Sequence, residues 1–219
     1  MSDYTLARYR YCPPLASQFP TLVTTNSESN APIVTNTPGR GLNMQFGNNP
    51  AASYNVRGCF KAINAASSQS IIARFEWPGW GWNTVLSGLA VYDGTKFVTL
   101  TINWNLGGNV RGVYQVLRWT NSTTLNGTIP YNPSTYTGGG MEWMRMDIVG
   151  GALTNFFVGC NGKDWLELYS GSQSAFITPT KVGLVSVVYK NAGQFPPAGT
   201  NLTYLNCLYY SDPDITPAI

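Results

Sequence analysis

Histidine is absent from the chain. That absence removes Ser-His-Asp and Cys-His catalysis. The four cysteines, Cys12, Cys59, Cys160 and Cys207, stand far apart with no Cys-x-x-Cys pair, so the usual zinc sites are excluded as well. Charge is scarce: 11% of residues are Asp, Glu, Lys or Arg, against about 25% in an average soluble domain. The net charge of +3 is small and spread out, which argues against nucleic acid as a partner. No apolar run approaches the roughly 20 residues that span a bilayer, so no membrane insertion is expected. The opening MSDYTLARYRYCPP has no apolar core of a signal peptide, and synthesis in a cytoplasm is the expectation. No phosphate-cradling Gly-x4-Gly-Lys-Ser/Thr occurs, and the ten acidic residues are too scattered to assign a calcium loop. No cofactor and no metal are expected. Three Asn-x-Ser/Thr sequons, at Asn121, Asn126 and Asn201, read as Asn/Thr-rich loops.

What the chain does have is alternation. In Met141 to Tyr169, Trp143, Arg145, Asp147 and Val149 alternate with Glu142, Met144, Met146 and Ile148. A strand turns successive side chains to opposite faces, so this run presents two surfaces. Gly150-Gly151 signals a two-residue hairpin, Leu153 to Cys160 is the partner strand, and Asn161-Gly162 turns the chain into Asp164–Tyr169. On one strand face, Arg145 and Asp147 are placed to form an ion pair of structural kind.

The same pattern extends from Gly41 onward. Strands are expected over Leu42–Phe46, Tyr54–Ile63, Ser70–Trp77, Val85–Tyr92, Lys96–Trp104 and Val113–Trp119, then the central meander, Lys181–Lys190 and Leu202–Tyr210. Asp93-Gly94 and Gly107-Gly108-Asn109 supply turns. About eleven strands with no helical periodicity predict an all-β, antiparallel two-sheet jelly-roll sandwich. Its expected divisions are an extended Pro-rich N-terminal arm over 1–40, a sandwich over 41–212 and a short tail over 213–219. Cys59, Cys160 and Cys207 fall in or at the end of strands, where a reduced, buried thiol acts as a small hydrophobe; disulfides are the other reading.

The W-x-R-x-D strand, the Gly-Gly turn, the phenylalanine-rich strand and Asn161-Gly162-x-Asp164-Trp165 together resemble the central hairpins of concanavalin A-like domains. These are the lectin, laminin-G-like and glucanase β-sandwiches. Val182-Gly183-Leu184-Val185 looks like a following strand of that family, and Leu202–Tyr210 is similar to its closing strand. The resemblance covers roughly residues 41–212 and implies the fold; fold alone does not fix activity. Catalytic glucanases of this kind carry two carboxylates on one strand in an E-x-D-x-(x)-E pattern, and glycoside hydrolysis needs the pair about 5–9.5 Å apart. No strand here carries acids two apart; only Asp212 and Asp214 have that spacing, in a proline-containing tail. The expectation is a non-catalytic member.

Two further features invite a partner. Trp77, Trp80 and Trp82 lie with Asn83 in a Gly/Pro-spaced loop and cannot all enter one core from a regular strand. They suit sugar stacking, an inter-subunit contact or packing at the end of the sandwich. In the N-terminal segment Tyr4, Leu6, Arg8, Tyr9, Arg10, Tyr11 and Phe19 recur between prolines. A purely solvated leader has little use for such residues, so a docking arm competes with a flexible leader. The resulting expectation is a structural protein of a bacteriophage virion, made in the host cytoplasm: a capsid decoration (cement) protein or a tail or fibre module. Other virion proteins would be its partners, and a homo-oligomer, a trimer for instance, would suit. The alternative is a lectin-like, carbohydrate-binding or receptor-binding module that meets host-surface glycans through the tryptophan loop.

Overall fold

The computed structural model describes residues 12–24, 32–46, 54–64, 66–77, 85–104, 111–129, 141–189 and 202–214. Across them the chain is all β apart from one 3-10 turn, Ala16–Gln18. Numbered along the chain, strands β1 (Thr21–Val23), β4 (Tyr54–Ala62), β13 (Lys181–Tyr189), β6 (Val85–Tyr92), β7 (Phe97–Trp104), β8 (Arg111–Asn121) and β9 (Thr124–Thr128) lie side by side, in that spatial order, as sheet I. Sheet II runs β12 (Leu166–Ser170), β11 (Ala152–Gly159), β10 (Trp143–Val149), β5 (Gln69–Glu76), β14 (Leu202–Ser211), β3 (Gly41–Phe46) and β2 (Ile33–Thr37). The strand pairings in both sheets are antiparallel, and the two sheets form a jelly-roll sandwich.

The strands expected from the sequence correspond to β3 to β8 and β10 to β14. Strands β1, β2 and β9 are not among them. β1 has three residues, too few to show a period, while β2 (Ile-Val-Thr-Asn-Thr) and β9 (Thr-Leu-Asn-Gly-Thr) carry loop-like polar composition. The boundary expected between 40 and 41 falls inside the β2–β3 hairpin, where Ile33 to Thr37 pair with Gln45 to Gly41. The segment before it is bound to the sandwich too. Cys12 donates its N–H to the Leu208 carbonyl at 2.9 Å, and Asn36 accepts the Ala16 N–H while donating to the Pro14 carbonyl, each at 2.8 Å. Phe19, expected on a docking arm, lies in the core of its own chain with its ring edge-on to Tyr210 at 5.1 Å. Burying that large aromatic surface stabilises the segment where it is.

The main core fills the space between the sheets. Met144, Met146, Ile148, Phe156, Ile71, Phe75 and Leu42 of sheet II meet Leu89, Val91, Leu100, Val116 and Leu184 of sheet I. A Cβ on Gly88 would sit 2.2 Å from the Leu100 carbonyl oxygen and 2.8 Å from Met144 Sδ, so glycine is what lets β10 close on β6. A second core lies on the other face of sheet I, made of Val56, Phe60, Leu86, Ala90, Phe97, Leu117, Trp119, Val185 and Val187. Val23 from one edge strand and Leu125 from the opposite edge strand both pack on it. The sheet must therefore curl around this cluster. That explains why β4 and β6 are buried along nearly their whole length rather than on alternate residues.

All four cysteines are free thiols. Cys59 and Cys207 are buried as expected, whereas Cys160 is exposed in the bend after β11. Burial pushes the Cys59 thiol up to about 12, and it raises Cys207 as well, with Cys59 adding to the effect.

Candidate recognition face on the outside of the second sheet

The central meander forms as its sequence dictates. Gly150 and Gly151 take positive φ of 56° and 84°, and β10 pairs with β11 from Trp143↔Gly159 to Val149↔Ala152. The second turn is held by Asn161, whose Oδ1 accepts the N–H groups of Lys163 and Asp164 at 2.8 and 2.9 Å. With Met144, Met146 and Ile148 committed to the core, the alternate residues Trp143, Arg145 and Asp147 face outward. Register sets Gly159, Phe157 and Asn155 of β11 beside them, and Glu167 and Ser170 of β12 beyond.

Arg145 is the centre of this face. Its Nε and Nη2 donate to Asp147 Oδ1 and Oδ2, both at 2.8 Å, a two-pronged pair that fixes the guanidinium plane. The guanidinium carbon lies 4.9 Å from the Phe157 ring centre and 5.9 Å from that of Trp165. Phe157 and Trp165 are both half-buried, so part of each ring meets solvent. Next to them Asn155 Oδ1 accepts from Ser170 Oγ at 2.9 Å. The result is a ledge of two aromatic rings and a fixed cation, edged by an amide and the exposed Glu167.

Trp143 plays a different part: 2% exposed, it is the foundation. Its ring meets Tyr209 at 5.0 Å on one side, and on the other a Cβ at Gly162 (φ +74°) would come within 3.0 Å of it. Glycine at 162 therefore allows the turn to lie flat on the indole. A second pair, Arg74 Nη2 to Glu142 Oε2 at 2.8 Å, closes the neighbouring row. Two of the carboxylates on this face, Asp147 and Glu142, are thus occupied by arginine. Among the described residues no group of three His, Cys, Asp or Glu side chains comes together as a metal site.

The residues singled out from sequence fare differently. Trp77 turns inward, 6.0 Å from the Phe75 ring and packed on the main core, which is the intramolecular alternative of the three weighed for it. Trp80, Trp82 and Asn83 lie outside the described residues, as do Tyr4, Leu6, Arg8, Tyr9, Arg10, Tyr11 and the Gly107-Gly108-Asn109 turn. The Arg145–Asp147 pair is present as expected. Phe157 and Trp165 read from the sequence as strand residues, of the core or a sheet face, and not as members of a site. The signal was there for Phe157: in a strand, Phe156 and Phe157 must face opposite ways, and Phe156 is in the core.

No family model and no curated protein sequence matches the chain. Among solved structures, it is similar to an engineered GH43 glycoside hydrolase with endo-xylanase and exo-arabinofuranosidase activity, at 10% identity and a TM-score of 0.44, over 80% of this chain and 34% of that one. Another is the GH43 protein BlXynB from Bacillus licheniformis, at 10% identity and a TM-score of 0.42, over 78% of this chain and 32% of that one. A tetrameric galectin from the ball sponge Cinachyrella sp. aligns at 14% identity and a TM-score of 0.31, over 68% of this chain and 98% of the galectin. The chain spans about a third of the length of the two hydrolases.

Proposed function

We propose that this protein is a non-enzymatic recognition module that binds a glycan on the outer face of β10, β11 and β12. One observation carries the reading: two part-exposed aromatic rings, Phe157 and Trp165, flank a guanidinium that Asp147 holds in place. Sugar rings present flat C–H faces to aromatic rings and hydroxyls to fixed polar groups. Arg145 and Asn155 supply such groups on rigid strands, so little ordering entropy is lost on binding. The non-catalytic part of the reading rests on Asp147 and Glu142. Each is held in an ion pair by an arginine, which engages the oxygens a general acid would have to turn toward a bound sugar.

The test is a glycan array followed by calorimetry on the best hit. Phe157→Ala combined with Trp165→Ala should abolish binding while the circular dichroism spectrum stays that of the parent. Full binding by the double variant would remove this reading. Turnover of the bound glycan by the purified protein would remove its non-catalytic part.

A second reading keeps the protein as a structural component of a viral particle. It is favoured by Leu15, Leu22 and Ile33, which are 57%, 47% and 43% exposed although apolar. All three belong to the N-terminal segment that supplies β1 and β2, the outermost strands of their sheets. Exposed apolar residues on or beside edge strands are where another chain could pair or pack. If Leu22→Asp with Ile33→Asp leaves incorporation into particles at full occupancy, the assembly reading is lost.

A further inference from the structure

Asp212 and Asp214, the two acids with the spacing of a catalytic pair, meet a lysine. Lys61 sits on β4 in sheet I, beside Val182, with its side chain 10% exposed. Asp212 follows β14 of sheet II, and its carboxylate is fully enclosed at 0%. Lys61 Nζ lies 3.0 Å from Oδ1 and 3.0 Å from Oδ2 of Asp212, equidistant from the two carboxylate oxygens. Nζ also lies 3.0 Å from Asp214 Oδ2, and the Asp214 N–H donates to Asp212 Oδ1 at 2.9 Å. Tyr210 is buried next to this cluster, its phenol held up first by burial and then by Asp212.

An ion pair needs one carboxylate; here one ammonium has two. Enclosing charges in this way is costly, and their mutual attraction offsets that cost only in part. Amide formation removes both charges of the Lys61–Asp212 pair. We propose that Lys61 and Asp212 condense to an intramolecular isopeptide bond that joins the two sheets covalently, with Asp214 as the catalytic proton carrier.

The step balances without any co-reactant. Asp214 takes a proton from the Lys61 ammonium, and the freed lone pair of Nζ attacks Asp212 Cγ. The Nζ–Cγ bond forms. Asp214 delivers that proton, and then the second one released from nitrogen, to the departing carboxyl oxygen. The Cγ–O bond breaks, one water leaves, and Asp214 ends as it began, a carboxylate. At 67% exposure Asp214 also marks the way out for that water. The bond would tie residues 151 positions apart, closing most of the chain into one loop. A long covalent loop restrains the unfolded state more than a short one.

The decisive measurement is the intact mass of the full chain, purified and denatured. We expect the parent protein to be lighter than its sequence by the mass of one water. A tryptic digest should yield one branched peptide containing Lys61 and Asp212, uncut at Lys61. Lys61→Met and Asp212→Ala should each have the full sequence mass. Asp214→Asn should show the bond slowed or absent, and a fully bonded Asp214→Asn would overturn the role given to Asp214. A parent protein at the full sequence mass overturns the proposal outright, whether or not the variants fold, and leaves the cluster an ion pair.

Discussion

Val56 donates its backbone N–H to the Ser122 carbonyl at 2.7 Å, linking β4 to the β8–β9 turn across the width of sheet I. Tyr54, two residues before Val56, meets Trp119 edge-on at 5.4 Å, so the same closure is made by side chains. A sheet joined to itself in this way encloses its own face. Trp119 fills that enclosure, with Nε1 donating to Thr99 Oγ1 at 3.2 Å. Trp119→Ala should therefore cost about 3–5 kcal/mol, the usual range for emptying a buried tryptophan site. Urea unfolding would measure it, and Leu22→Ala, at an exposed position, should change the same midpoint very little.

Gly88 gives a sharper test of how the two sheets meet. Gly88→Ala places a methyl against the Leu100 carbonyl, which cannot swing away, and against Met144 Sδ, which can. Destabilisation at the upper end of the overpacking range, about 3 kcal/mol, is expected. Adding Met144→Ala relieves the side-chain conflict but empties a core site, so the double variant should melt below Met144→Ala alone. A double variant as stable as Met144→Ala would show that Leu100 is not the obstacle.

How much of this was legible in the sequence follows from where the signal resides. Alternation in Met144, Met146 and Ile148 against Trp143, Arg145 and Asp147 shows both faces of β10, because one face is wholly apolar and the other carries an ion pair. The same rule was silent for β4 and β6. Their two faces are both buried, so Val56, Cys59 and Phe60 read only as a continuous run, and the second core they build could not be inferred. Strand β2 was hidden for the opposite reason: an edge strand with Thr35, Asn36 and Thr37 exposed or half-exposed has the composition of a loop. Phe19 is plainly apolar in the sequence, but nothing local distinguishes its own core from a partner's. The proposed recognition face is half legible in the sequence. Arg145 and Asp147 were placed by spacing, whereas bringing Phe157 and Trp165 to them required the register of three strands.

Raised thiol and phenol values give the stability a definite alkaline limit. Cys59 moves from 9.0 when accessible to about 12 in the fold, and Cys207 and Tyr210 are raised too, each chiefly by burial. The folded chain holds these protons where the unfolded chain has released them. Stability is thus fully present below about pH 9 and falls as pH climbs toward 12, by up to about 1.4 kcal/mol per pH unit for each such group. Urea midpoints at pH 8, 9.5 and 11 should fall in that order. Thiol labelling at pH 8 should modify Cys160 at once, with Cys59 and Cys207 reacting only in denaturant. Prompt labelling of Cys59 in the folded protein would contradict its burial.

The N-terminal segment offers the last test, since it separates an arm that can be shed from one built into the fold. Removing residues 1–40 deletes β1 and β2 and exposes the β4 and β3 backbones they cover. It also takes Phe19 from Tyr210 and Cys12 from the Leu208 carbonyl. A detachable arm would leave the remaining sandwich at its full melting temperature. The contacts predict otherwise: the truncated chain should melt well below the parent and aggregate through its two uncovered edges. Phe19→Ala alone should account for about 3–5 kcal/mol of that loss, in line with other buried phenylalanines. If Phe19→Ala melts with the parent protein, the segment is held by its edge hydrogen bonds alone and the core contribution assigned to it is wrong.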